Sequence, residues 1–118
     1  MKTILIVDDE SNMRFLHRMI LESGGYEVIE AAHGAAALER AKESPPDLVI
    51  TDLMMPVMSG RELIERLRAD PVTAGVPIVI VSAHPRSVLD AADAVLGKPY
   101  DPDELLSAAR SLTQDEAA

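Results

Sequence analysis

The sequence contains no cysteine, which excludes disulfides, thiolate nucleophiles and cysteine-held zinc together. It has no tryptophan, and aromatic residues make up only 3% of the chain, so aliphatic side chains must fill the core. No apolar run approaches the ~20 residues that a membrane span requires. The opening run Ile4-Leu5-Ile6-Val7 meets Asp8 and Asp9 at once and is too short for a signal peptide; it reads as a strand. Positive charge is scarce: 11 Lys and Arg stand against 20 Asp and Glu, a net charge of −9. Such a surface repels a phosphate backbone and argues against direct nucleic-acid binding by this chain. A basic partner, or a cation that neutralises part of the acid, fits better. With no export signal and no span, the expected compartment is the cytoplasm, away from the membrane.

What remains is a globular balance. The 118 residues are 47% hydrophobic and 26% charged, enough for one domain around one core. Short apolar runs alternate with helix-like segments. Thr3–Val7, Glu27–Ala31, Leu48–Thr51, Pro77–Ser82 and Ala94–Gly97 read as strands. Leu48-Val49-Ile50 and Ile78-Val79-Ile80-Val81 are apolar without alternation, which suits central parallel strands covered on both faces. Asn12 to Ser23 places Met13, Leu16, Ile20 and Leu21 on one helical stripe, and Gly24-Gly25 ends it. Ala35 to Glu43 is rich in helix formers and stops before Pro45-Pro46. Ser59 can cap a helix from Gly60 to Ala69 with Leu63, Ile64 and Leu67 turned inward. Asp101-Pro102 opens a last helix in which Leu105, Leu106, Ala109 and Leu112 recur at helical spacing. This alternation predicts an α/β fold with a doubly wound parallel sheet and right-handed crossovers. Among the common arrangements of five such units is the flavodoxin-like strand order 2-1-3-4-5, and that is the order adopted here.

In that order the polar residues at strand ends converge. Asp8 and Asp9 follow the first strand and Asp52 follows the third, neighbours at the crevice where such sheets bind ligands. Ser82 ends the fourth strand and Lys98 follows the fifth, on the same edge. Taken singly, each has a plainer reading: loops are polar, and Asp8 can simply cap a helix. As a set they are harder to dismiss. Three carboxylates this close cannot all stay ionised without compensation. An oxygen-loving dication resolves the conflict; Mg²⁺ takes roughly six oxygens and keeps several waters, with Mn²⁺ as a possible substitute. No histidine joins the group, which disfavours zinc; His17, His33 and His84 read as structural or solvated. With the metal in place, a carboxylate can attack a phosphoryl group and form an acyl phosphate. Lys98 would stabilise charge on the phosphoryl oxygens. A Ser82 hydroxyl that bonds phosphate only when it is present supplies the difference between states that a switch requires.

The pieces Ile6-Val7-Asp8-Asp9-Glu10, Asp47–Pro56, Gly60, Ile80-Val81-Ser82-Ala83 and Lys98-Pro99, in this order and spacing, resemble the receiver domains of two-component response regulators over nearly the whole length. The resemblance implies that Asp52 accepts phosphate from a sensor histidine kinase or a histidine phosphotransfer protein. It implies Mg²⁺ on Asp9, Asp52 and the Met54 carbonyl, with Asp8 acting through water. Ser82 becomes the switch hydroxyl, the Ala83 amide a phosphate donor and Lys98 the phosphate-contacting lysine, and Lys98-Pro99 is expected in the cis form. Beyond phosphoacceptance and slow self-dephosphorylation, no enzyme activity is expected.

Two departures bear on signalling. Where the family carries Tyr or Phe three residues before the lysine, this chain has Val95, so the usual coupling of hydroxyl to aromatic ring must be altered. Only Ala83 to Asp93 separate the fourth and fifth strands, fewer than a parallel crossover normally uses. The helix between them is expected to be shortened to the region Val88–Asp93, or missing. Met54 and His84 flank the expected path of hydrolytic water. Met54, Met55 and Met58 read as loop packing rather than a soft-metal site, and the acids from Asp101 to Glu104 as a favourable helix start. The expectation is one receiver domain over residues 1–118, with 113–118 as a tail, acting alone as a monomer or weak dimer on an unidentified protein target. Two other classes remain. A phosphatase of the haloacid dehalogenase type would need an aspartate at position 54, and a receiver-like interaction module would not use phosphate at all.

Overall fold

The computed structural model describes residues 1–83 and 92–113. Its elements are β1 (Thr3–Val7), α1 (Ser11–Ser23), β2 (Glu27–Ala31), α2 (Gly34–Glu43), β3 (Leu48–Asp52), α3 (Gly60–Ala69), β4 (Ile78–Ser82), β5 (Ala94–Gly97) and α4 (Pro102–Thr113). The strands form one sheet in the order β2-β1-β3-β4-β5, and every pairing is parallel. This is the flavodoxin-like order expected from the alternation, with strand bounds that differ by at most one residue. Among the described residues, no helix is long and apolar enough to cross a membrane.

Alternation along each strand divides the core between the two faces. Leu5, Val7, Val49, Ile78 and Ile80 pack with Ala37 and Ala41 of α2 and Leu63, Ile64 and Leu67 of α3. Ile4, Ile6, Leu48, Ile50, Val79 and Val81 pack with Leu21 of α1 and Leu105 and Ala109 of α4. Both faces being covered, β3 and β4 read in sequence as unbroken apolar runs.

Local chemistry sets the helix ends. Ser59 accepts a hydrogen bond from the Glu62 N–H at 3.2 Å and starts α3 as expected. α2 begins one residue before its predicted start, because the His33 ring accepts from the Ala36 N–H at 3.2 Å. After α1 the chain turns through Gly25, whose φ of +92° suits glycine. The buried stripe of α1 departs from its expected composition. Leu21 is fully buried and Met13 and Ile20 partly so, but Leu16 is exposed, as are Phe15 and Met19. His17 occupies the buried position instead. One residue along a helix is a rotation of about 100°, which places position 16 at the edge of a stripe centred on 13, 17, 20 and 21.

Thr113, expected to open the tail, is the last residue of α4. Its hydroxyl donates to the Ala109 carbonyl at 2.8 Å and bonds the Tyr26 hydroxyl at 3.0 Å. The remaining tail, 114–118, lies outside the described residues, as do His84 and most of the segment for which a shortened helix was predicted. At its end Ala92 and Asp93 form a bend.

Asp93 ties this junction to the sheet. Its carboxylate accepts from the Ile78 N–H at 2.7 Å and from the Arg68 guanidinium at 2.8 Å. Burial opposes its ionisation, but these donors outweigh it and hold the carboxyl below its usual pKa. Asp93→Ala strands a buried N–H at the start of β4 and is expected to lower stability by about 1–3 kcal/mol, measured by denaturant unfolding.

Candidate functional site

The carboxyl ends of β1 and β3 place the acids. Asp8 follows β1 directly; its N–H donates to the Ala31 carbonyl at 3.2 Å, and its side chain accepts from the Glu10 N–H at 2.9 Å. Asp52 is the last residue of β3, in register with Val81. Asp8 is buried, Asp52 partly buried and Asp9 exposed, and each offers a carboxylate oxygen within 4.8 Å of the others. Three negative groups therefore converge, although more than forty positions separate Asp9 from Asp52.

Lys98 stands against them. The Lys98 ammonium lies 3.1 Å from Asp52 Oδ1. Its backbone N–H donates to the Ser82 carbonyl at 2.8 Å, and the Lys98-Pro99 bond is cis, as the resemblance implied. Ser82 closes β4 and is buried, paired in register with Gly97. The loops that leave this edge carry the two remaining predicted residues. Ala83 directly follows Ser82, and Met54 is exposed two residues beyond Asp52. In the β3–α3 loop the Gly60 N–H donates to the Leu53 carbonyl at 2.8 Å, and Leu53 extends the ladder to the Val81 carbonyl at 3.1 Å. Asp8, Asp9, Asp52 and Lys98 are thus brought together, with Ser82 at the neighbouring strand end.

Some supporting residues were not foreseen. Arg14 donates to the Asp8 carbonyl at 2.7 Å and pairs with Glu30 at 3.0 Å, while Arg18 holds the other Glu30 oxygen at 2.7 Å. The Arg18 and Arg14 guanidiniums keep the Glu30 carboxyl below its usual pKa despite partial burial. Basic residues at helical spacing opposite an acid on the adjacent strand are common on solvated faces, so the sequence alone did not single them out. His17 Nε2 is hydrogen-bonded to the Tyr100 hydroxyl. Burial, with the Asp8 and Asp52 carboxylates nearby, pushes the Tyr100 phenol up to about 12.

The electrostatics of Asp8 match a cation site. Burial pushes its carboxyl above the usual value; the Glu10 N–H works against this, the Asp52 charge adds to it, Lys98 opposes it and Asp9 adds again. A raised folded-state pKa means the contribution to stability is present below the unfolded-state value and is lost as pH rises through the folded one. At neutral pH an ionised Asp8 carboxylate therefore costs stability until a cation offsets it. Asp8→Asn, which keeps the acceptor for Glu10, is expected to raise Tm by a few degrees at pH 7. The gain should shrink as pH falls toward ~4. Added Mg²⁺ should raise the Tm of the wild type and not that of the variant.

Comparison with known proteins agrees with this geometry. Residues 4–110 match the response regulator receiver domain. The chain belongs to this family, the phosphoacceptor modules of two-component signalling. Receiver domains work with histidine kinases or phosphotransfer proteins and are in general not enzymes themselves.

The phosphate regulon transcriptional regulatory protein PhoB of Pseudomonas aeruginosa is 38% identical over 112 residues, covering 90% of this chain and 49% of that protein. The transcriptional regulatory protein KdpE of Mycobacterium tuberculosis is 40% identical, covering 100% of this chain and 54% of its own length. The chain thus spans about half the length of these curated relatives. The response regulator TrrA of Thermotoga maritima, solved in complex with Mg²⁺ and a beryllium fluoride, superimposes with a TM-score of 0.86 at 35% identity, covering 95% of this chain and 99% of that one. The chemotaxis protein CheY4 of Vibrio cholerae gives a TM-score of 0.88 at 31% identity, covering 95% and 98%.

Proposed function

We propose that Asp52 is the residue phosphorylated in this receiver and that Asp9, Asp52 and the Met54 carbonyl, with Asp8 acting through water, hold the Mg²⁺ it uses, with Mn²⁺ as a substitute. The observation that carries this is the convergence of three carboxylates within 4.8 Å, with a lysine 3.1 Å from one of them. The cluster fits a hard dication: oxygen donors only, one of them a buried carboxyl pushed toward its neutral form. When bound, Mg²⁺ neutralises charge on the phosphoryl oxygens and lets the carboxylates share one site.

The reaction needs little else from the chain. An Asp52 oxygen forms the new bond to phosphorus as the bond from phosphorus to the donor's imidazole nitrogen breaks, and that nitrogen keeps the electron pair. Asp52 then no longer carries the charge that attracts Lys98, and the ammonium follows the charge outward to the phosphoryl oxygens. Ser82 and the Ala83 N–H, at the end of the adjacent strand, contact those oxygens once they are present. Slow return of phosphate to water resets the switch.

The donor is a sensor histidine kinase or a histidine phosphotransfer protein, and the target is a protein. The chain acts as one receiver domain over residues 1–118, in the cytoplasm, as a monomer or weak dimer, without binding nucleic acid or membrane. The test is incubation with acetyl phosphate, followed by intact mass measurement. A single phosphate adduct is expected with Mg²⁺ and none with a chelator; no adduct under either condition sinks the reading.

A second reading, an interaction module that works without phosphate, draws on Val95. This residue pairs in register with Ile80 and packs, partly buried, on the α2–α3 side of the sheet. An aliphatic side chain here offers no ring to swing toward Ser82.

A further inference from the structure

His17 is a costly choice for its position. It is 2% exposed on the inward face of α1, where a leucine would pack without desolvating a polar ring. Among the described residues its buried Nδ1 has no hydrogen-bond partner, so the position carries the cost of an unsatisfied nitrogen. Burial, reinforced by the Lys98 ammonium and opposed by Asp52, lowers its pKa, so the ring stays neutral and adds no second cation beside Lys98.

The other nitrogen is hydrogen-bonded. Nε2 is bonded to the hydroxyl of Tyr100, 83 positions away, with ring centroids 5.8 Å apart and planes inclined at 33°. Tyr100 lies two residues beyond Lys98. The Lys98 side chain is long and 35% exposed, so the ammonium reaches Asp52 reproducibly only if its backbone is held on both sides. Upstream, the Lys98 N–H is fixed to the Ser82 carbonyl at 2.8 Å. Downstream, Pro99 has no N–H to give, and the Tyr100 phenol supplies an anchor into α1. Packing of Tyr100 with the α1–α4 core alone leaves the phenol free to slide; a directional bond to a buried ring does not.

We propose that His17 is a positioning residue: through Tyr100 it holds the Lys98-Pro99-Tyr100 turn against α1 and so sets the Lys98 ammonium at the phosphoryl site. The proposal rests on the reading above that Lys98 contacts the phosphoryl group.

The test uses the full chain, with Mg²⁺ titrated into the metal-free protein and beryllofluoride, the phosphoryl mimic, titrated at saturating Mg²⁺. Titration calorimetry measures Mg²⁺ and beryllofluoride affinity separately for the wild type, His17→Leu, Tyr100→Phe, the double variant and Lys98→Ala. Lys98→Ala should lose beryllofluoride affinity. His17→Leu and Tyr100→Phe should each weaken it about three- to tenfold, the range for one hydrogen bond. Mg²⁺ affinity should be unchanged, and the double variant no weaker than either single one. His17→Gln, if its amide reaches the phenol, should restore part of the loss. Beryllofluoride affinity equal to wild type in Tyr100→Phe, or an equal fall in Mg²⁺ affinity, overturns the proposal in favour of a packing role. That comparison stands even where His17→Leu fails to fold. If Lys98→Ala binds beryllofluoride normally, the assignment of Lys98 itself fails and this inference falls with it. No beryllofluoride binding by the wild type would instead reject the phosphoacceptor reading.

Discussion

Asp52→Asn is expected to abolish phosphorylation, lowering the rate with acetyl phosphate and Mg²⁺ by at least about a thousandfold. Asparagine keeps the shape of the side chain, so the strand end and its register with Val81 should survive, and circular dichroism should match wild type. What disappears is the nucleophile, because an amide oxygen carries too little charge to attack phosphorus. The Lys98 ammonium, now 3.1 Å from a carboxylate oxygen, would face a neutral amide and lose its ion pair. One complication is built into the site. Asp8 and Asp9 each present an oxygen within 4.8 Å of Asp52, so a trace of adduct could shift to the exposed Asp9. Peptide mapping after intact mass measurement separates the two cases. An adduct on Asp52→Asn equal to that on wild type would remove Asp52 from its role.

Gly60→Ala should damage stability and phosphoacceptance together. A Cβ at Gly60 would lie 2.4 Å from the Asp52 carbonyl oxygen and 3.0 Å from the Leu53 Cα. Both neighbours are backbone, so no side chain can rotate away. Either α3 shifts outward, breaking the 2.8 Å bond from the Gly60 N–H to the Leu53 carbonyl, or the end of β3 moves. The cost expected for such overpacking is about 2–3 kcal/mol, roughly 10 °C in Tm for a domain of this size. The displaced peptide is that of Asp52 itself, so the phosphorylation rate should drop as well. Thermal unfolding and acetyl phosphate kinetics on the same sample check both effects. A variant that melts with the wild type would mean that α3 can retreat at no cost.

How far the site was legible follows from the kind of signal each residue leaves. Asp8, Asp9, Asp52, Ser82 and Lys98 each end an apolar run, and parallel sheets bind ligands at that edge. The order of strands then did the rest. Residues that support the site left no such mark. Arg14 looks like a solvated charge, and Asp93 looks like a loop acid, until the fold sets them against the Asp8 carbonyl and the Ile78 N–H. His17 misled in another way. Hydropathy assigns Leu16 inward, whereas helix geometry buries position 17, and only a partner 83 positions away explains a histidine there.

Asp52 shows the division most simply. The sequence by itself determined the β–α alternation and the chemistry at each strand end, because hydrophobic period, glycine, proline and capping residues are local signals; the sheet order was one of the common arrangements of such units, and the fold shows it is the one taken. Only the tertiary structure decided the distances: the Lys98 ammonium on Asp52, the Asp8 carboxyl buried beside two other acids, and the close approach of Gly60 to the Asp52 carbonyl. Those depend on how far one strand end lies from the next and on what each side chain excludes from water. Both are set when the sheet packs between its helices, across separations that no local pattern records.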